Sequence, residues 1–312
     1  TTSCCSRRRS CGTWQPRWSM GGARSRRRLA LGFLVELFAI ANLAFLAMDI
    51  FLAHTVNRFR AWPEWIPIGF SGVAAPALAV GLWWANRRGG DWRPARGGAV
   101  VGVLAIVVGI AGLLFHLESQ FFQNMSLKSL VYTAPLAAPL AYAGLGLVLL
   151  LNRMVPPESL EWDRWLALLA GAGFAGNFAL ALLDHAQNGF YYVSEWLPVA
   201  ASAYAVVFLG MVVLHPQDRT LLRVTLGVLA AQIAIGLLGF GFHLVGDLTR
   251  PSGGLRDNFL FGAPVFAPLL LPNLAVLAGI AVWDLWRALP MDLSNTSPTT
   301  PDVGRPEIRG NA

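Results

Sequence analysis

The sequence predicts an all-α integral membrane protein: eight transmembrane helices arranged as a parallel 4+4 duplicated bundle, with both termini cytoplasmic. Three observations carry this expectation. The composition is strongly apolar, apolar runs of membrane-spanning length recur along the chain, and the second half repeats residues of the first in the same order.

Hydrophobic residues make up 55% of the 312 positions and charged ones only 13%, with a mean hydropathy of +0.53. A soluble domain of this length has no use for so much apolar surface, and a bilayer is its natural solvent. The net charge of +7 does not point to nucleic acid, because the arginines stand between apolar runs and at the N-terminus rather than on one basic face. The partner they imply is the lipid bilayer. The chain contains no Walker motif, HExxH, GxSxG or Cys/His zinc pattern, so ATP-driven transport, zinc proteolysis and serine hydrolysis have no support. Cys4, Cys5 and Cys11 all lie in the polar N-terminal stretch, away from the membrane body.

Runs of about 20 apolar residues, the length that crosses a bilayer, fall near 30–53, 66–85, 98–116, 131–151, 165–184, 196–214, 221–245 and 263–286. Residues before Met20 read as an upstream extension, and the first run as a retained helix rather than a cleaved signal peptide. Arg24, Arg26, Arg27 and Arg28 precede the first run. Arg87, Arg88, Arg93 and Arg96, then Arg153 and Arg164, then Arg219 and Arg223 occupy alternate connections. By the positive-inside rule these connections are cytoplasmic in a bacterial-type inner membrane. The opposite connections carry Glu64, Glu118, Glu195, Asp247 and Asp257 and face the periplasm. The chain accordingly divides into a basic disordered N-terminal tail (1–29), a first four-helix repeat (30–152), a cytoplasmic linker (153–164), a second repeat (165–288) and a disordered C-terminal tail (289–312).

The repeat is read residue by residue. His54, Asn57, Phe59, Glu64-Trp65 and Pro67 return with the same spacing as His185, Asn188, Phe190, Glu195-Trp196 and Pro198. Gly109, Gly112 and Phe115-His116-Leu117 return as Gly236, Gly239 and Phe242-His243-Leu244. Ala134-Pro135 and Ala138-Pro139 return as Ala263-Pro264 and Ala267-Pro268. An even number of helices per unit gives both copies the same orientation, related by a pseudo-twofold along the membrane normal.

His54, His116, His185 and His243 are thereby expected at one depth, at the outer ends of odd-numbered helices. Imidazole ligates haem iron and copper and titrates near neutral pH, so these four are the candidate cofactor-binding and metal-ligating residues, with haem or copper as the cofactor. Carboxylates accompany them: Asp184 adjoins His185, Glu118 follows His116 by two residues, and Asp247 follows His243 by one helical turn. Such groups orient a ligating imidazole or relay its proton. Asp49 and Asp184 lie inside apolar runs, where an ionisable group is costly, and each has an asparagine on the same helix, Asn42 and Asn177. Glu64-Trp65 and Glu195-Trp196 read as helix starts with belt tryptophans, and the repeated glycines as close-packing positions.

The function expected from these residues is a His-lined site near the periplasmic face that binds haem or a transition metal for electron transfer or redox chemistry, with a periplasmic or membrane redox partner. A transporter or channel lined by Asp49 and Asp184 is one alternative, and a structural subunit of a larger membrane complex is another. In general layout, 4+4 helices with four histidines, the chain resembles the haem A synthases. Those enzymes carry their histidines on even-numbered helices and catalytic glutamates in the first outer loop. Here the histidines end odd-numbered helices, and the first outer loop offers only Glu64.

Overall fold

The computed structural model describes residues 19–88, 96–251 and 254–289, the side chains of 19–29 and 96 excepted. The cysteines, Arg93 and the tail after Asp292 lie outside the described residues. Among the described residues the regular structure is helical throughout: α1 (Ser19–Thr55), α2 (Ile66–Arg87), α3 (Arg96–Asn124), α4 (Leu127–Val131), α5 (Leu140–Met154), α6 (Leu160–Gln187), α7 (Trp196–Leu214), α8 (Arg219–Thr249), α9 (Leu255–Phe261) and α10 (Leu270–Ala288). Short 3₁₀ turns precede α2, α7 and α10.

Local chemistry sets where these helices start and stop. Ser159 caps α6 by accepting from the Trp162 amide at 3.1 Å. Asp218 caps α8 by accepting from the amides of Thr220 and Leu221, both at 2.9 Å. The ends of α1 and α6 are followed by left-handed residues, Arg58 (φ 57°) and Phe59 (φ 49°) after the first, Gly189 (φ 70°) and Phe190 (φ 53°) after the second. Such residues cannot continue a right-handed helix.

Two boundaries differ from expectation. The helix carrying the first apolar run begins at Ser19, well before the run itself. The run expected at 131–151 is broken: α4 ends at Val131, turns follow, and helix resumes only at Leu140. Pro135 and Pro139 are the cause, since proline lacks the amide hydrogen and disfavours helix in the residue before it. The 15 residues of α5 rise about 22 Å at 1.5 Å each, less than the roughly 30 Å of a bilayer's hydrocarbon. Among the described residues seven helices are therefore long and apolar enough to cross a membrane by themselves: α1, α2, α3, α6, α7, α8 and α10, some with their adjoining 3₁₀ turn.

Packing follows a repeated scheme. α1 lies against α2 and α5, and α3 against α5; α6 lies against α7 and α10, and α8 against α7 and α10; α5 and α6 join the two sets. One core gathers Trp162, Leu166, Phe174, Leu209, Leu222 and Ala278, with Val35 and Val148 reaching in from the other set. A second gathers Ala39, Leu43, Ala75, Leu78, Tyr142 and Leu149. The outward faces are also apolar: Val100, Val103, Val107, Ile110 and Leu114, along α3, are each about half exposed. Contiguous apolar surface of that extent is not tolerated in water. The chain is a multi-pass membrane protein in contact with lipid.

Candidate functional site: two imidazole pairs at one end of the bundle

The glycines of α3 fix the first imidazole. Gly109, Gly112 and His116 follow one another at helical spacings of three and four, so they share a face. That face lies against the start of α5: a Cβ on Gly109 would stand 2.7 Å from the Ala143 nitrogen and 2.9 Å from the Pro139 oxygen, and one on Gly112 would stand 2.7 Å from Pro139 Cβ. Only hydrogen fits. This close approach brings His116 Nδ1 to 2.8 Å from the Pro135 carbonyl oxygen. The carbonyl has room for it because the residue four positions on is Pro139, which has no amide hydrogen to return.

The same construction recurs on α8. A Cβ on Gly236 would stand 2.8 Å from the Pro268 oxygen, and one on Gly239 3.0 Å from Pro268 Cβ. His243 Nδ1 then meets the Pro264 carbonyl at 2.9 Å. A carbonyl oxygen only accepts, so Nδ1 of both rings carries the hydrogen and donates it. In the neutral ring the lone pair is then on Nε2.

His54 and His185 end α1 and α6, and the left-handed turns beyond them fold the chain back. The His54 carbonyl accepts from the Asn57 and Phe59 amides at 3.0 and 3.3 Å, and the His185 carbonyl from Phe190 at 3.0 Å. Phe59 stacks on Trp65 with centroids 4.1 Å apart, and Phe190 on Trp196 at 3.9 Å. These stacks draw the starts of α2 and α7, and with them Glu64 and Glu195, towards the imidazoles.

The result is two clusters. In the first, the rings of His54 and His116 stand with their planes at 89° and their centroids 6.3 Å apart, and Glu64 is within electrostatic reach of both. In the second, His185 Nδ1 stands 3.5 Å from Glu195 Oε2, and His243 is within electrostatic reach of His185. With its amide nitrogen turned inward, Asn188 donates to Glu195 Oε2 at 3.2 Å and to the His185 carbonyl. In the first cluster, by contrast, His54 Nδ1 and Glu64 Oε2 are buried without a hydrogen-bond partner.

The four histidines thus fall into pairs. Among the described residues no group of three or more His, Cys, Asp or Glu is placed to hold a metal ion. Glu118 is exposed, and the nitrogen of His116 is taken up by Pro135 instead. Asp247 is 2% exposed and accepts from the Ala263 amide at 2.9 Å, fastening the α9–α10 connection beside α8. Asp49 and Asp184 are half-buried, Asp49 a little over one turn before His54 and Asp184 directly before His185, and neither carboxylate has a hydrogen-bond partner among the described residues. The asparagines part company: Asn177 donates to Ser202 Oγ at 2.8 Å within its own helix set, whereas Asn42 and Asn273 exchange amide hydrogen bonds between α1 and α10.

Glu64 and Glu195 are the site residues that sequence reasoning assigned to helix starts alone. The signal for them was present, since each stands ten residues after the histidine it approaches. Comparison with family models, with curated proteins and with solved structures finds no match for this chain.

Proposed function

We propose that the protein is a haem-binding electron carrier of a bacterial-type inner membrane, with one haem held by His54 and His116 and a second by His185 and His243. The reading is of eight crossings in two four-helix repeats, both termini cytoplasmic and the imidazoles near the periplasmic face. The observation that carries it is the donor set. Two imidazoles with no third protein ligand are too few for a closed zinc or copper site, which needs three or four. They are what an iron porphyrin lacks, because the macrocycle supplies the other four nitrogens.

Distance supports this. Two imidazoles that shared one iron, with metal–nitrogen bonds of about 2 Å and about 1 Å more to each ring centre, would have centroids about 6 Å apart. The first pair is at 6.3 Å. The chain's own contribution is orientation: Pro135 and Pro264 hold His116 and His243 by Nδ1 and leave Nε2 for the iron. When bound, such a group supplies one-electron transfer with a redox partner.

A specific observation favours a second reading, transport along Asp49 and Asp184: both are carboxylates inside apolar helices without a hydrogen-bond partner among the described residues. Absorbance spectra of the full chain in mild detergent, oxidised and dithionite-reduced, separate the two. A Soret band that falls by about half in His116→Ala and in His243→Ala supports the haem reading. A colourless protein from cells supplied with iron and 5-aminolevulinate overturns it and brings transport forward.

A further inference from the structure

We infer that the two imidazole pairs are unequal, and that Glu195, steadied by Asn188, is a positioning residue that makes the His185 pair the more electron-rich of the two. The inference rests on the haem reading above and adds a division of labour to it.

The two clusters share their histidines, their stacked Phe–Trp pair and their glutamate, yet differ in how the glutamate is used. In the second, Glu195 Oε2 stands 3.5 Å from His185 Nδ1 and accepts from the inward-turned Asn188 amide, which also reaches the His185 carbonyl. The Asn188 amide thus joins carboxylate and backbone, with the imidazole alongside. In the first, Glu64 Oε1 is spent on the Ala61 amide at 3.4 Å, while Glu64 Oε2 and His54 Nδ1 are both buried and unpartnered. The backbone turn is shared, with Gly189 at φ 70° where the first cluster has Arg58 at φ 57°, so the difference lies in the side chains.

A carboxylate next to the far nitrogen of a ligating imidazole fixes the ring's tautomer and raises its basicity, and removing such a partner typically costs 10–100-fold in metal affinity. A more basic axial ligand favours ferric over ferrous iron. A haem held by His185 would therefore have the lower potential and one held by His54 the higher, so that the His185 pair would serve as the electron donor of the two.

The test is a redox titration of the full chain in detergent, followed by its Soret and α bands, on the parent, Glu195→Gln, Asn188→Ala, Glu64→Gln and the single-pair variants His116→Ala and His243→Ala. Two components are expected, and His243→Ala removes the lower one. Glu195→Gln moves that component upward, and a tenfold loss of preference for ferric iron corresponds to about 59 mV. Asn188→Ala moves it in the same direction by less. Glu64→Gln leaves the lower component in place. Equal midpoints in the two single-pair variants, or a haem-loaded Glu195→Gln protein with its lower component unmoved, overturn this inference and leave the haem reading standing. Absence of any Soret band overturns both. Thermal unfolding of Glu195→Gln separates a potential shift from misfolding, and an unchanged unfolding midpoint with a shifted potential is the expected combination.

Discussion

Glu36 and Arg153 form a forked pair at the end of the bundle opposite the imidazoles, with Arg153 Nη2 donating to Glu36 Oε1 at 2.7 Å and Nη1 to Oε2 at 3.1 Å. Both side chains are under a tenth exposed. Asn152 extends the contact by donating to the Gly32 carbonyl at 3.2 Å, and Trp162 Nε1 donates to Asn152 Oδ1 at 3.1 Å. Helices α1, α5 and α6 are thus tied by polar groups where the surroundings are apolar, and α6 belongs to the other helix set. The positions corresponding to Glu36 and Arg153 in the second half are Ala167 and Val282, both fully buried, so this pair is not repeated at the equivalent positions.

This pair predicts a marked asymmetry between single and double substitutions. Breaking a buried ion pair leaves one uncompensated charge and costs about 3–5 kcal/mol, whereas replacing both partners with apolar residues is close to neutral. Glu36→Met and Arg153→Met should each lower the thermal unfolding midpoint in detergent sharply, and the double variant should recover most of the loss. Losses that simply add would show that the two side chains do not interact.

The repeated glycines predict a defect that reaches the imidazoles. A Cβ on Gly236 would run into Pro272 Cδ and stand 2.8 Å from the Pro268 carbonyl oxygen, so α8 and α10 must separate to admit it. Overpacking of this kind costs about 1–3 kcal/mol, and here it also pulls His243 from the Pro264 carbonyl. Gly236→Ala should lower the unfolding midpoint and disturb the His243 pair spectroscopically. Gly227→Ala, on the same helix with nothing within 4 Å of its Cβ, should do neither.

Much of this was legible in the chain because membrane helices are written in long apolar runs, and because the halves can be read against each other. Positions of His54, His116, His185 and His243 at one end of the bundle follow from where those runs stop. The pairing did not follow, because it depends on which helices touch: α1 with α5, and α3 with α5 through glycine. The break at Thr133–Pro139 was masked by its own apolarity, since Ala, Leu and Pro keep the run hydrophobic while the prolines remove its helical bonds. Glu118 and Asp247 stood near a histidine along the chain and Glu64 and Glu195 farther off, yet the left-handed turns after α1 and α6 bring in the distant pair. Sequence distance was a poor guide where the backbone reverses.

Those turns predict opposite effects at equivalent positions. Gly189 sits at φ 70° with open space around its missing Cβ, so Gly189→Ala adds strain without a clash, about 1 kcal/mol for an L-residue in the left-handed region. Arg58 already bears that strain at φ 57°. Arg58→Gly should relieve it and lose part of the gain to the freer unfolded chain. Unfolding midpoints of the two variants should therefore move apart, downward for Gly189→Ala and slightly upward for Arg58→Gly.

The short helix α5 predicts how many times the chain crosses the bilayer. Its glycine contacts with α3 run in antiparallel register: a Cβ on Gly102 would meet the Gly146 oxygen at 3.0 Å, one on Gly109 the Ala143 nitrogen, and one on Gly112 the Pro139 side chain. The end of α5 at Met154 is therefore level with the start of α3, and the Thr133–Pro139 turns complete the crossing that 15 helical residues leave short. Met154 and Gln217 should face one side of the membrane, and Leu127 and Tyr191 the other. In a chain whose own cysteines are replaced by serine, single cysteines at these four exposed positions report their side to an impermeant thiol reagent in sealed vesicles. Met154→Cys should label together with Gln217→Cys. If it labels together with Leu127→Cys instead, α5 dips in and returns, the crossings number seven, and the parallel relation between the halves is lost.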